Sequence, residues 1–145
     1  MSIKTTLNQL VLAMQSGALT RVSETIPPGG YHFRVAKLLA AIDADLTNYQ
    51  KQNQALVRKH GKADEKGNIS VTGVDAATLG KFNDAMADLL AQEVTIPYEP
   101  VIWSKLGEEA QKKLTIRDVH AMGPLMVETE EEAKAVMNPP TLTTV

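Results

Sequence analysis

Three histidines, His32, His60 and His120, are the side chains best suited to catalysis or metal binding in this chain. Such chemistry needs a second group at a fixed spacing, as in the paired histidines of the metalloprotease helix motif. None of the three has a histidine or carboxylate at such a spacing. Asp118 precedes His120 by two residues, and residues two apart on a helix point in different directions. We therefore expect no catalytic residue, no metal site and no enzymatic activity.

The segment 64–68 carries residue types found in calcium loops, because Asp64 and Glu65 stand before a Gly-Asn pair. An EF-hand needs oxygen ligands at its first, third and fifth positions and glycine at its sixth. With Asp64 at the first position, Lys66 falls on the third and Ile69 on the sixth, so the pattern fails. We expect a charged, hairpin-like turn here.

Gly29 and Gly30 precede a predicted helix, where backbone N–H groups could bind an anion. Neither the dinucleotide-binding glycine pattern nor a phosphate-loop lysine accompanies them. We interpret the segment Pro27 to Gly30 as a loop that breaks regular structure, and we expect no cofactor. Arg34 and Lys37 leave a weak anion site open.

The composition limits the class of protein. The chain has 145 residues, no cysteine, and 15 basic against 17 acidic side chains, for a formal net charge of −2. The lack of cysteine excludes disulfides and thiolate metal sites and favours a reducing compartment. Both signs of charge are scattered without a basic patch, so nucleic acid is not expected as a partner. No apolar run approaches the length of a membrane span, and no secretory signal is visible.

One long amphipathic helix, from about residue 31 to residue 60, is the strongest element that the sequence predicts. Leu38 and Val57 widen its apolar stripe, as expected for a helix that packs on a core. No Pro or Gly interrupts it, and Gly61 is placed to cap its end. The stripe itself alternates spacings of four and three residues through Val35, Leu39, Ile42, Leu46, Tyr49, Asn53, Leu56 and His60.

A second helix, from about residue 76 to residue 92, offers a surface that faces the first. Asp75 can cap its start, and Gly80 within it predicts a close approach of another backbone. Its apolar face consists of Leu79, Phe82, Met86, Leu89 and Leu90. We expect an antiparallel helix pair in which the far end of the long helix, Asn53 to His60, overhangs its shorter partner.

Shorter elements surround this pair. An apolar face over 7–14 predicts a first short helix, and 69–71 and 94–102 are extended segments that could pair in a minimal sheet. Thr115 to Asp118 resembles a capping box that starts a further helix, and 128–137 could form a last, charged one. The expected fold is mainly α: the long helix packed antiparallel on the second helix, short helices at both ends, and a minimal β element.

Five residues are candidates for an interface: Tyr49, Asn53, Leu56, His60 and Trp103. Tyr49 is most simply a core residue whose hydroxyl reaches the edge. Asn53 either fixes the register of a partner helix or lies where the core thins. Trp103, the only tryptophan, is either a packing anchor or an interface hot spot.

Four stretches follow each other in the order of a known family. They are the helix opening at 31–37, the basic helix end and charged turn at 58–68, the segment 89–94, and the segment 114–126. In this order they resemble a family of small uncharacterised proteins of tailed phages and prophages, over residues 31–126. That family has no assigned activity, so the resemblance implies a viral context and transfers no functional residue.

These patterns together predict a single helical domain over 1–137, with an N-terminal helical segment at 1–26, a core at 31–126, and a flexible tail or docking arm at 138–145. We expect a non-enzymatic phage protein that acts through protein–protein contacts, in the virion or its assembly, as a homo-oligomer or with phage structural proteins. One alternative is an inhibitor or modulator of a host defence protein, and another is a small-molecule or nucleotide binder. The expected location is the virion or the host cytoplasm.

Overall fold

The long helix runs from Gly30 to His60 in the computed structural model, which describes residues 2–26 and 29–137 of the chain. Its 31 residues span about 46 Å at about 1.5 Å per residue. All of its buried residues lie in the first two thirds: Val35, Leu38, Ile42, Leu46 and Tyr49. The predicted stripe is therefore confirmed as far as Tyr49, with Leu38 buried more deeply than Leu39.

The described residues form seven α-helices and six short strands, so the mainly α prediction is confirmed. Two 3-10 turns, Trp103–Lys105 and Gly123–Leu125, connect some of them. In chain order the elements are β1 (Ile3–Thr6), α1 (Leu7–Gln15), α2 (Ala18–Thr25), α3 (Gly30–His60), β2 (Lys62–Ala63), β3 (Ile69–Ser70), α4 (Ala76–Leu90), β4 (Glu93–Ile96), β5 (Val101–Ile102), α5 (Glu108–Lys113), α6 (Ile116–Met122), β6 (Met126–Val127) and α7 (Glu130–Met137).

The antiparallel pairing of α3 with α4 follows from their apolar faces. Asp75 caps α4 by accepting a hydrogen bond from the backbone of Thr78 at 2.7 Å. The far end of α3 does not overhang its partner, because the rings of His60 and Phe82 meet edge to face with centroids 6.3 Å apart. Phe82 lies in the middle of α4, so the start of α4 extends as far as the end of α3.

The pairing of the strands differs from the sequence prediction. The extended chain after α4 does not pair with the segment around Ile69; β4 pairs instead with β1, antiparallel, with Ile3 opposite Ile96. β3 pairs with β2 in a local hairpin, and β5 pairs with β6 in parallel. β1 is not predicted from the sequence, because its four residues merge with the apolar pattern of α1.

The charged turn between β2 and β3 forms as predicted. The Asp64 carboxylate accepts hydrogen bonds from the backbone N–H groups of Lys66 at 2.8 Å and Asn68 at 2.9 Å. Gly67 takes a left-handed φ of 82°, which glycine adopts without a Cβ penalty. The oxygen atoms of Asp64 thus organise the turn itself.

One hydrophobic core joins the N-terminal segment to the rest of the chain. Ile3, Leu10 and Val22 are completely buried together with Leu38 of α3 and Met122 of α6. The side chain of Gln9 donates a 2.8 Å hydrogen bond to the carbonyl of Ala121, which ties α1 to α6. Residues 2–26 are therefore part of the same core as the predicted 31–126 unit. The predicted tail at 138–145 lies outside the described residues.

Two glycines have roles other than those expected. A Cβ atom on Gly80 would meet nothing within 4 Å, so the predicted close backbone approach there is wrong. The close approach occurs at Gly61, where a Cβ would fall 2.3 Å from the Val57 carbonyl oxygen and 2.7 Å from Ile69 Cγ2. Gly61 caps α3 with a φ of −83°, so glycine is needed there for space and not for a left-handed backbone.

Candidate interaction surfaces

The far end of α3, the β2–β3 hairpin and α4 contain no buried residue. Every side chain from residue 50 to residue 90 is at least partly exposed. We call residues 50–90 the distal arm. Even α4, with fifteen residues and an apolar face, buries none of them. The chain's own packing therefore leaves the apolar side chains of the distal arm incompletely covered.

The exposed apolar residues of the distal arm are large. Ile69 is 44% exposed and Leu79 is 38% exposed, while Val57 and Phe82 are partly exposed beside them. Val57 and Ile69 line one cavity, and exposed apolar surface of this kind commonly marks a site of interaction. The distal arm is the first candidate surface.

The two helices of the distal arm carry opposite charge. Residues 46–60 of α3 include the basic side chains Lys51, Arg58 and Lys59 and no acidic one. α4 carries Lys81 together with two exposed carboxylates, Asp84 and Asp88. The arm thus presents a basic helix end beside a helix with net negative charge.

A second surface surrounds Trp103. Two adjoining cavities, of about 450 and 320 Å³, share Trp103, Val119 and Met126 as lining residues. We call these two cavities the Trp103 groove. The larger cavity extends to Ile116, an isoleucine that is 80% exposed, and the smaller one extends to Glu128 and Glu132.

Trp103 is held at this groove by the elements on both sides of it. The Tyr31 hydroxyl accepts a 2.6 Å hydrogen bond from the backbone N–H of Ile102, and burial raises the pKa of Tyr31 above its ordinary value of 10.0. The Gln111 side chain of α5 donates a 2.8 Å hydrogen bond to the Trp103 carbonyl. The backbone that carries the indole is therefore fixed by α3 and α5.

α6, which forms one wall of the groove, begins with the predicted capping box. The Thr115 hydroxyl accepts from the Asp118 backbone at 3.2 Å, and Asp118 Oδ2 accepts from the Thr115 backbone at 3.0 Å. Asp118 is completely buried, and its Oδ1 also accepts a 2.8 Å hydrogen bond from Arg21 Nε. Arg21 reaches on to the carbonyl of Ser16 at 2.6 Å, so one guanidinium joins α2 to α6.

The electrostatics of this pair follow from its hydrogen bonds. Donation from Arg21 lowers the pKa of Asp118 below its ordinary value of 3.8, against the opposing effect of burial. The same bond raises the pKa of the Arg21 guanidinium. Asp118 is thus a buried, ionised carboxylate that positions α6, while His120, two residues later, lines the Trp103 groove.

The structure distributes the five candidate interface residues over three places. Tyr49 is only 7% exposed and belongs to the core, so it is not part of an exposed surface. Asn53, Leu56 and His60 lie together on the distal arm and are partly exposed. Asn53 follows the last buried residue of α3, which agrees with the alternative that the core thins there. Trp103 lies apart from them, at its own groove.

The remaining charged candidates are engaged in local contacts. Arg34 lies 3.5 Å from the Glu99 carboxylate, and the Lys37 ammonium lies over the Phe33 ring at 4.7 Å from its centroid. These contacts compete with the weak anion site predicted at the start of α3. Over residues 2–26 and 29–137, no group of three or more His, Asp or Glu side chains could hold a metal ion. No helix within the same ranges is long and apolar enough to cross a membrane.

Sequence reasoning missed Arg21 and Ile116. No local signal indicates the pairing of Arg21, because its partner Asp118 lies 97 positions later in the sequence. Ile116 follows the Thr115 cap directly at the start of α6, and it is the most exposed large apolar residue described. No signal in the sequence brings Ile116 and Trp103 to the same cavity, because α6 and the Trp103–Lys105 turn are separate elements that meet only in the fold.

Comparison of the chain with protein-family models, with curated proteins and with solved structures finds no match in any of the three.

Proposed function

We propose that this chain is a non-enzymatic protein of a tailed phage or prophage that acts through protein–protein contacts in the virion or during its assembly. The viral context rests on the resemblance over residues 31–126. The observation that supports action through contacts is the distal arm, where 41 consecutive residues, 50–90, include none that is buried. Covering an apolar surface of this kind with a partner is favourable, because it removes the surface from water.

The occupant that we propose for the distal arm is a second copy of the same chain. A two-fold interface must be self-complementary, because the same patch is used on both sides. The distal arm meets this requirement, since the basic end of α3 can face the acidic α4 of the other copy. Arg58 and Lys59 would lie near Asp84 and Asp88 of that copy, and Leu79 would lie at the other edge of the exposed surface of α4.

The test of self-association is a charge exchange followed by analytical ultracentrifugation. Reversal of the basic end, Arg58→Glu with Lys59→Glu, should weaken the dimer, and so should Asp84→Lys with Asp88→Lys. The four changes together should restore association, because the attraction is then rebuilt with opposite signs. Failure of the combined variant to associate better than either double variant would contradict the proposed pairing.

An apolar substitution tests the apolar part of the same surface. Complete burial of a leucine contributes about 1.5–3 kcal/mol. Leu79 is 38% exposed, and a dimer contains two copies of it. Leu79→Ser should therefore reduce the free energy of association by about 1–2 kcal/mol, which raises the dissociation constant roughly tenfold. Leu12→Ser is the matched control, because Leu12 is 47% exposed on α1, outside the distal arm. Equal effects of both changes would contradict the assignment of the surface.

The viral context is tested separately, by mass spectrometry of purified particles and assembly intermediates from a lysogen that carries the gene. The protein should be found in one of them. A monomer that is absent from both would defeat the proposal, and recovery of one host protein in a specific complex would favour the inhibitor alternative.

A further inference from the structure

The Trp103 groove has the composition of a site for an apolar side chain. Trp103, Val119 and Met126 line both of its cavities, and Leu114 adds to the wall of the larger one. The two cavities adjoin at the indole, because they share these three walls. Grooves of this kind bind a segment of another protein through one or two apolar anchors.

The charge at one end of the groove selects among such segments. Glu128 and Glu132 line the smaller cavity, and neither is in an ion pair with a cation in the part of the chain that the structure describes. The nearby Lys105 does not neutralise them, because it is paired with Glu130. Glu132 instead accepts a 2.9 Å hydrogen bond from the backbone N–H of Glu128, which holds the Glu132 carboxylate at this end.

The opposite end of the groove is apolar and open. Ile116 is 80% exposed on the first turn of α6, a position where an isoleucine gains little from its own fold. The capping box and the Arg21–Asp118 ion pair fix the helix that presents it. The groove therefore runs from an exposed apolar side chain, past an indole, to two carboxylates without a cationic partner.

We propose that the Trp103 groove binds a segment of a partner protein in which a large apolar side chain is followed by lysine or arginine. The apolar side chain lies between Trp103 and Ile116, and the cation lies against Glu128 and Glu132. This surface is independent of the distal arm, so self-association there and partner binding here can occur in the same molecule.

The single tryptophan makes the groove directly observable, because all indole emission of the chain comes from Trp103. The probes are a short amidated peptide with leucines followed by lysines, the same peptide with glutamates for the lysines, and one with serines for the leucines. The first should shift the emission of Trp103 to the blue in a saturable manner. The other two should bind at least about tenfold more weakly, and added salt should weaken the first.

Substitutions on the rim assign the binding to this groove. Glu128→Gln with Glu132→Gln should weaken the leucine–lysine peptide about tenfold and remove most of its salt dependence. Ile116→Ser should weaken it several-fold without changing the stability of the protein, since the side chain is already exposed. Glu131→Gln is the matched control for the glutamate substitutions, because Glu131 is exposed on α7 next to Glu132 and does not line the groove.

Two results would overturn the proposal. Equal binding of the lysine and glutamate peptides would show that the carboxylates do not select the partner. Binding of the leucine–lysine peptide only by a chain that ends at Met137, and not by the full chain, would assign the groove to residues 138–145 of this protein itself. The interpretation of both results does not depend on whether the distal arm mediates self-association.

Discussion

Replacement of Asp118 by alanine should lower the free energy of unfolding by about 3 kcal/mol. The carboxylate is completely buried and accepts from Arg21 through Oδ1 and from the Thr115 backbone through Oδ2. Breaking a buried ion pair costs about 3–5 kcal/mol when the remaining partner stays buried and uncompensated. The Arg21 side chain is 42% exposed and can regain water, so the lower end of this range applies.

Asparagine at the same position should not rescue the stability. The two oxygens of Asp118 face donors on opposite sides, the Arg21 guanidinium and the Thr115 N–H. An asparagine side chain has one oxygen and one NH2 group, so either orientation sets a donor against a donor. Asp118→Asn is therefore expected to be nearly as unstable as Asp118→Ala, in urea unfolding followed by circular dichroism.

The effect has a defined dependence on pH. The folded-state pKa of Asp118 is lowered from 3.8, so its stabilisation is fully present above that ordinary value and is lost as the pH falls through the lower, folded-state pKa. The difference between wild type and Asp118→Asn should thus be largest near about pH 7 and shrink towards strong acid. A difference that is constant with pH would refute the role assigned to the charge.

Asp43→Asn provides the control for this experiment. Asp43 is exposed on α3, so its substitution should change the unfolding free energy by no more than about 0.5 kcal/mol. A loss at Asp43 equal to that at Asp118 would show that the measured effect reflects net charge and not the buried pair.

Two further predictions concern packing. Gly61→Ala should destabilise the protein by about 1–3 kcal/mol, because the added Cβ would lie 2.3 Å from the Val57 carbonyl oxygen. Gly80→Ala should stabilise the protein by about 1 kcal/mol, since nothing lies within 4 Å of the added Cβ and alanine favours the helix. The thermal unfolding temperatures of the two variants should therefore shift in opposite directions, and a shift in the same direction would contradict the geometry. Ile42→Ala should lower the unfolding free energy by about 2–5 kcal/mol without changing the oligomeric state, because Ile42 is 1% exposed in the core. If sedimentation shows that the folded variant associates more weakly than the wild type, Ile42 lies at an interface instead.

The features that the sequence predicts well are those encoded by neighbouring residues. The start of α3 after Gly29 follows from local backbone preferences, and the capping box from Thr115 to Asp118 follows from a spacing of three. Each of these signals lies within one or two turns of the chain. The buried stripe of α3 up to Tyr49 is likewise a property of one helix.

The features that escape prediction join distant parts of the chain. Ile3 pairs with Ile96, and Arg21 bonds to a residue 97 positions later in the sequence. Neither contact has a local pattern, because β1 could have paired with any exposed strand edge and Arg21 with any carboxylate. The Trp103 groove escapes for the same reason, since its walls come from the Trp103–Lys105 turn, α6, β6 and the start of α7. The sequence predicts only one part of the distal arm, the far end of α3. The exposure of α4 is not predicted, because it depends on how the hairpin and the end of α3 pack against it.

The pairing of β1 with β4 has a consequence for synthesis on the ribosome. Residues 3–26 pack partly on α3, but β1 pairs with β4 and Arg21 binds Asp118 of α6, so part of their apolar surface stays uncovered until residues 96 to 122 have been made. At about 5–20 residues per second, that delay is about 5–20 seconds. For that time the nascent chain carries exposed helices with the composition of a core, which are the kind of segment that chaperones bind. The N-terminal residues are therefore made first and yet are among the last to be enclosed.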